Sequence, residues 1–146
     1  MSKPLKMFIC ALTLLTALPA VAAERFTLVE HPVNEITRHL GGKKEADSVG
    51  DTLTFANALF DAANKTQVAS DQGFCTRTIV GKTWECLWTN VLKDGMITVQ
   101  GPFKDTGDSV FVVTGGTGKY VGAKGQMTLH VREGKPEAYD FIFDLQ

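Results

Sequence analysis

Asn57 is the residue whose type and setting most invite chemistry. It shares a period-2 face with Leu53, Phe55 and Leu59. An amide on an apolar face must find partners or a water. It serves either as a structural amide bonded to nearby backbone or as a group that positions a ligand or water in a cavity. Trp84 and Trp88 share a face with Cys86 and Asn90. They are either core filler or the walls of an apolar pocket. Gly115-Gly116-Thr117-Gly118-Lys119 has the glycines of a phosphate loop, but Tyr120 follows the lysine and Val121 stands where a dinucleotide fingerprint needs its third glycine. A tight connection between two strands, with glycines at positive φ, is the expectation there. His31, His39 and His130 are scattered, so neither a metal site nor any other cofactor is expected. Ser48, Ser70 and Ser109 lie in no nucleophile-elbow motif, and no carboxylate pair stands out. Asn64-Lys65-Thr66 matches a glycosylation acceptor, which has meaning only in a eukaryotic source.

These residues must be positioned by strands. Alternation runs through 52–60, 84–92, 126–132 and 138–145, with shorter strand-like runs at 26–30, 67–79, 95–100 and 109–114. Turn signals separate the runs: Gly81-Lys82, Asp94-Gly95, Thr106-Gly107-Asp108 and Gly134-Lys135-Pro136. The segment Pro32–Asp47 has room for a helical turn. About eight short strands predict an all-β, antiparallel barrel or sandwich. Pairing 67–79 with 84–92 around Val80-Gly81 sets Cys75 opposite Cys86 and Arg77 opposite Trp84. Directly opposed Cβ atoms lie ~4.5–5.5 Å apart or closer, near enough for a disulfide after slight adjustment. Two buried free thiols are the alternative.

Residues 1–23 read as a secretory signal: Lys3 and Lys6, then an uncharged apolar run from Met7 to Leu18, then Pro19 and small residues to Ala23. The run is too short to span a membrane, which takes ~20 apolar residues. Export to a periplasm or the exterior is therefore expected, with 24–146 as one domain. Removing 1–23 takes away Lys3, Lys6 and Cys10, leaving Cys75 and Cys86 as an even pair in an oxidising compartment. The whole chain has 146 residues and a formal charge of −1, with 44% hydrophobic and 21% charged residues. Those values exclude a disordered chain and give no reason to expect a nucleic acid as partner.

From Gly50 onward the residues resemble the allene oxide cyclase barrel family, which also groups with the dirigent proteins. The resemblance rests on Gly50-Asp51-x-Leu53 with Phe55, Asn57, Leu59 and Asp61; on Gly73-Phe74-Cys75; on Val99-Gln100-Gly101-Pro102-Phe103; and on Asp108-Ser109. It extends through Thr114-Gly115-Gly116-Thr117-Gly118-Lys119-Tyr120-x-Gly122-Ala123-x-Gly125-Gln126, and upstream to Asn34-Glu35-Ile36-Thr37-Arg38-His39. It implies an eight-stranded antiparallel barrel with a mostly hydrophobic cavity, often in a homotrimer. It also implies a cyclase or isomerase that closes an unsaturated fatty-acid epoxide by shape, with asparagines holding a water on the epoxide oxygen. By the same resemblance Asn34 and Asn57 stand for those asparagines, and Phe55, Asn57, Cys75, Trp84 and Phe103 for the pocket.

Three departures weigh against transferring the activity whole. The family's charge-stabilising glutamate falls at Pro32, with Glu30 two residues further back. The Ser-Pro pair that helps hold the water falls at Leu40-Gly41, and the dirigent arginine falls at Val121. The reading that results is an exported barrel binding a small hydrophobic molecule, lipid- or phenol-derived. A cyclase of the same cavity and a filled, non-catalytic interaction barrel are the alternatives.

Overall fold

The computed structural model describes residues 23–41, 47–134 and 137–146. The expected leader, up to Ala22, lies outside them. Nine strands follow in order: β1 (Glu24–His31), β2 (Glu35–Arg38), β3 (Thr52–Phe60), β4 (Gln67–Ile79), β5 (Thr83–Leu92), β6 (Gly95–Lys104), β7 (Ser109–Gly116), β8 (Gly125–Val131) and β9 (Tyr139–Leu145). Every pairing is antiparallel, and β1 joins both β9 and β3. That closes eight strands into a barrel, with β2 as an extra short strand on β3. Closure leaves few backbone edges for another chain to extend. Among the described residues no helix is long and apolar enough to cross a membrane.

The strand-by-strand reading agrees with these bounds except upstream of β3. Where a helical turn had room, Glu35–Arg38 is a strand; residues 42–46 of that segment lie outside the description. Pro32 accounts for the break between β1 and β2, because it has no N–H to give a ladder. The β1 ladder on β3 stops at His31↔Ala58 and β2 resumes at Glu35↔Phe55. Between β7 and β8, the Gly-rich stretch makes the expected tight connection. Gly118 sits at φ 59°, and a Cβ there would lie 2.3 Å from the Asp94 carbonyl oxygen.

Alternation sorts the side chains. Phe111, Met127, Phe141 and Phe143 point inward and are almost completely buried. One end of the barrel is filled by apolar contacts: Phe26 stacks on Phe143 at 4.8 Å, and Tyr120 of the 3-10 turn Gly118–Tyr120 closes over Phe26 at 6.5 Å. The opposite end contains polar groups and is not filled.

Candidate functional site

That opposite end holds a small cavity of about 70 Å³. One water needs ~10–15 Å³ of such space, so there is room for a few waters or a single ring. Its walls are aromatic: Phe55 from β3, Trp88 from β5, Phe103 from β6, and Tyr139 and Phe141 from β9. Trp88 packs edge-on against Phe55 at 5.9 Å and against Phe111 at 4.4 Å. Glycine makes this possible: Gly73 pairs with Trp88 across β4 and β5, and a Cβ at Gly73 would fall 2.2 Å from the Cβ of Trp88. The remaining wall is sulfur. Cys75 and Cys86 form the disulfide expected from the hairpin register, and both line the cavity.

Two carboxyls break the apolar lining. Glu35 lies at the exposed rim, and Glu30 is 4% exposed. Asn57 explains how Glu30 is held. Its Nδ2 donates to Glu30 Oε1 at 2.8 Å, while its Oδ1 accepts from the N–H groups of Val33 (3.1 Å) and Asn34 (2.9 Å). One amide thus satisfies the backbone at the Pro32 break and orients a buried acid. Of the two readings of Asn57, the structure shows the bonds to neighbouring backbone; the amide reaches the cavity only through Glu30.

Behind Glu30 lies Asp71, which pairs across the ladders with Asn57 on one side and Asn90 on the other. Its Oδ1 accepts from the N–H of Asn57 at 3.0 Å. Burial, then the charge of Asp71, push the Glu30 carboxyl well above the ordinary carboxylate range. Burial also raises Asp71, to about 6, against the hydrogen bonds from Asn57 and Glu30. Both carboxyls therefore favour the protonated form more than an exposed acid does. Among the described residues, three buried side-chain polar atoms have no hydrogen-bond partner: Asp71 Oδ2, Asn90 Oδ1 and Trp88 Nε1. Buried polar atoms are rarely left so, and such a cluster is where a ligand or ordered water belongs.

The expected site residues separate in space. Phe55, Cys75 and Phe103 line the cavity, and Asn57 reaches it through Glu30. Trp84 lies elsewhere, beneath the Arg77 guanidinium at 4.1 Å. Asn34 is exposed and enters the cluster only through its backbone N–H. Trp88, weighed as core filler or pocket wall, lines the cavity, while Tyr139, Glu35 and Asp71 are the residues that sequence reasoning passed over. The signal for Asp71 was present: Ala69, Asp71, Gly73, Cys75 and Arg77 share one face of β4, and an acid on an inward face needs a reason.

The model of the allene oxide cyclase family matches residues 30–133. The chain belongs to the allene oxide cyclase family. Solved structures of similar shape include a pyocyanin demethylase, with TM-score 0.69 and 27% identity over 82% of this chain and 100% of that one. The pterocarpan synthase dirigent protein PsPTS1 has TM-score 0.69 and 11% identity, over 88% of this chain and 96% of that one. AbnU, an exo-specific intermolecular Diels-Alderase, has TM-score 0.65 and 14% identity, over 85% and 98%. The last two share the fold; their identity is too low to say more.

Proposed function

We propose that this allene oxide cyclase family member is an exported barrel that binds a small hydrophobic molecule, lipid- or phenol-derived, in the cavity between Phe55, Trp88, Phe103 and Tyr139. One observation carries the reading: a buried carboxyl, Glu30, faces an aromatic cavity that opens to solvent. Apolar walls with a few converging polar groups are the usual makeup of a ligand site. At about 70 Å³ the cavity is small beside the ~300–1,000 Å³ of drug-sized sites, so a ring enters and the rest of the ligand stays in the mouth. The Cys75–Cys86 disulfide and the sequence of residues 1–23 support export.

A second reading, an isomerase of the allene oxide cyclase type, is favoured by the same carboxyl. Pro32 occupies the family's glutamate position, but Glu30 supplies an acid within the cavity. A proton held on Glu30 beside an oriented ligand is the arrangement that general acid catalysis needs. Solved structures of similar shape are named as a demethylase, a synthase and a Diels-Alderase, each acting on a small organic molecule. Assembly as a homotrimer is supported by the outer face of β4–β7. Phe74, Leu87, Val110 and Val112 are exposed there, and Glu85 and Lys104 are its only charged residues.

Mass spectrometry of small molecules released from the exported protein tests the binding reading. A hydrophobic molecule that is absent from a Phe55→Arg variant is expected. An empty protein that also fails to take up hydrophobic probes would overturn it. A chiral product assay with an allene oxide separates the second reading. Enantiomeric excess lost in Glu30→Gln would establish the isomerase; only racemic product would leave a binder.

A further inference from the structure

The cavity is acidic as well as aromatic, and this narrows what it can hold. Two carboxyls line it, Glu30 on β1 and Glu35 on β2, and two more stand behind its walls: Asp71 on β4, beside Glu30, and Glu137 just before β9, bonded to Tyr139. They act on one another through the cavity. Tyr139 Oη donates to Glu137 at 2.6 Å, and its hydroxyl is pushed up by burial first, then by Glu137, Glu35 and Glu30. Burial and the charge of Glu137 raise Glu35. Among the described residues, no cation lines the cavity. The nearest inward cation on β4, Arg77, is spent on Asp47 and Asp105, at 2.7 and 2.6 Å, and on the face of Trp84. Of the unpartnered buried atoms among the described residues, Asp71 Oδ2 and Asn90 Oδ1 are acceptors set behind the lining, and Trp88 Nε1, on a lining residue, is a donor.

A carboxylate-bearing ligand would meet like charge in a poorly solvated space, where repulsion is strong and salt screens little. A cation over the faces of Trp88, Phe55 and Tyr139 gains from the rings and from the acids together. We propose, resting on the small-molecule reading above, that the cavity selects by charge, taking cationic or N–H-bearing aromatic heterocycles and rejecting carboxylate lipids. Within the lipid- or phenol-derived range, this moves the ligand to the aromatic side and away from free fatty acids. It also links binding to protons. A cation favours ionised Glu30 and Asp71, so binding releases a proton and tightens as pH rises through about 6.

Three bicyclic probes of similar size and different charge test this: 1-methylquinolinium, 2-naphthol and 2-naphthoate, titrated by calorimetry on the disulfide-bonded protein at pH 7.5 and low salt. The cation is expected to bind at least tenfold more tightly than the anion. The gap should narrow at least threefold in Glu35→Gln/Glu137→Gln, whose changes lie at the exposed rim and leave the fold alone. It should narrow again between pH 7.5 and pH 5. Naphthoate binding as tightly as the cation would overturn the proposal while leaving the small-molecule reading in place. A gap unchanged in the rim variant and at pH 5 would overturn it too. If none of the three binds to protein with a normal melting curve, the small-molecule reading falls, and this proposal with it.

Discussion

Two polar clusters are built into the same barrel, and they differ in one respect. Around Arg77 and Asp51, each buried charge has partners. Asp51 accepts from His39 Nδ1 (2.7 Å) and from the N–H groups of Leu40 (2.8 Å) and Ser48 (3.0 Å), and Arg77 bridges Asp47 and Asp105. Burial works to raise the Asp51 carboxyl, but the bonds from His39, Leu40 and Ser48 outweigh it and hold it below the usual range. Around Glu30 and Asp71 both carboxyls are raised, and three buried atoms lack partners. A satisfied cluster has spent its charges on holding loops. An unsatisfied one keeps them for something else. This contrast, rather than polarity as such, separates the structural cluster from the candidate site.

The largest effect should come from breaking the satisfied cluster. Arg77→Met leaves Asp47 and Asp105 facing each other without a cation and removes the group stacked on Trp84. Breaking a buried ion pair by removing one partner costs ~3–5 kcal/mol. Urea denaturation should show a loss near the lower end, since Asp47 and Asp105 are partly exposed. A loss under about 1 kcal/mol, the scale of an exposed ion pair, would show that this cluster is not what holds the loops.

Why the two clusters were unequally legible follows from what period-2 reasoning can reach. Alternation fixes which residues face inward, and the hairpin register fixed Cys75 against Cys86 and Arg77 against Trp84, all as found. It does not say how far along the barrel a residue lies. Trp84 and Trp88 are four residues apart on one face, and strand tilt carries one under Arg77 and the other into the cavity. Asn57 and Asp71 oppose each other on the consecutive strands β3 and β4, but Glu30 joins them only because closure lays β1 on β3. Pro32 misled for the same reason. It marks the break in the strand, and the acid that reaches the cavity lies two residues before it.

The disulfide lies between the two clusters and offers a smaller effect. Cys75–Cys86 closes a loop with a sequence separation of 11. A cross-link of this span contributes ~2–3 kcal/mol if unstrained. Cys75→Ala/Cys86→Ala should lose about that much in urea denaturation. Ligand binding should weaken as well, because both sulfurs are cavity wall. Lost stability with unchanged affinity for a cavity probe would place the ligand away from this wall.

The smallest effect is a slope, and it sets the two clusters directly against each other. Asp71 titrates near 6 in the folded chain and near its ordinary 3.8 once unfolded, and Glu30 is raised as well. Between those values the folded state keeps protons that the unfolded state has released. The pair's contribution to stability is therefore full below about pH 4 and is lost as pH rises through 6. Asp51 is lowered, so its contribution is present at neutral pH and is lost as acid protonates it. Asp71 alone bounds its share of the upper slope at ~1.4 kcal/mol per pH unit. Urea midpoints from pH 3 to 8 should show a fall on both sides of a maximum. Asp71→Asn should flatten the fall above pH 4, and Asp51→Asn the fall below it. If Asp71→Asn leaves the upper limb unchanged, the Glu30–Asp71 pair does not keep a proton that the unfolded chain releases, and the contrast between a satisfied and an unsatisfied cluster loses its electrostatic basis.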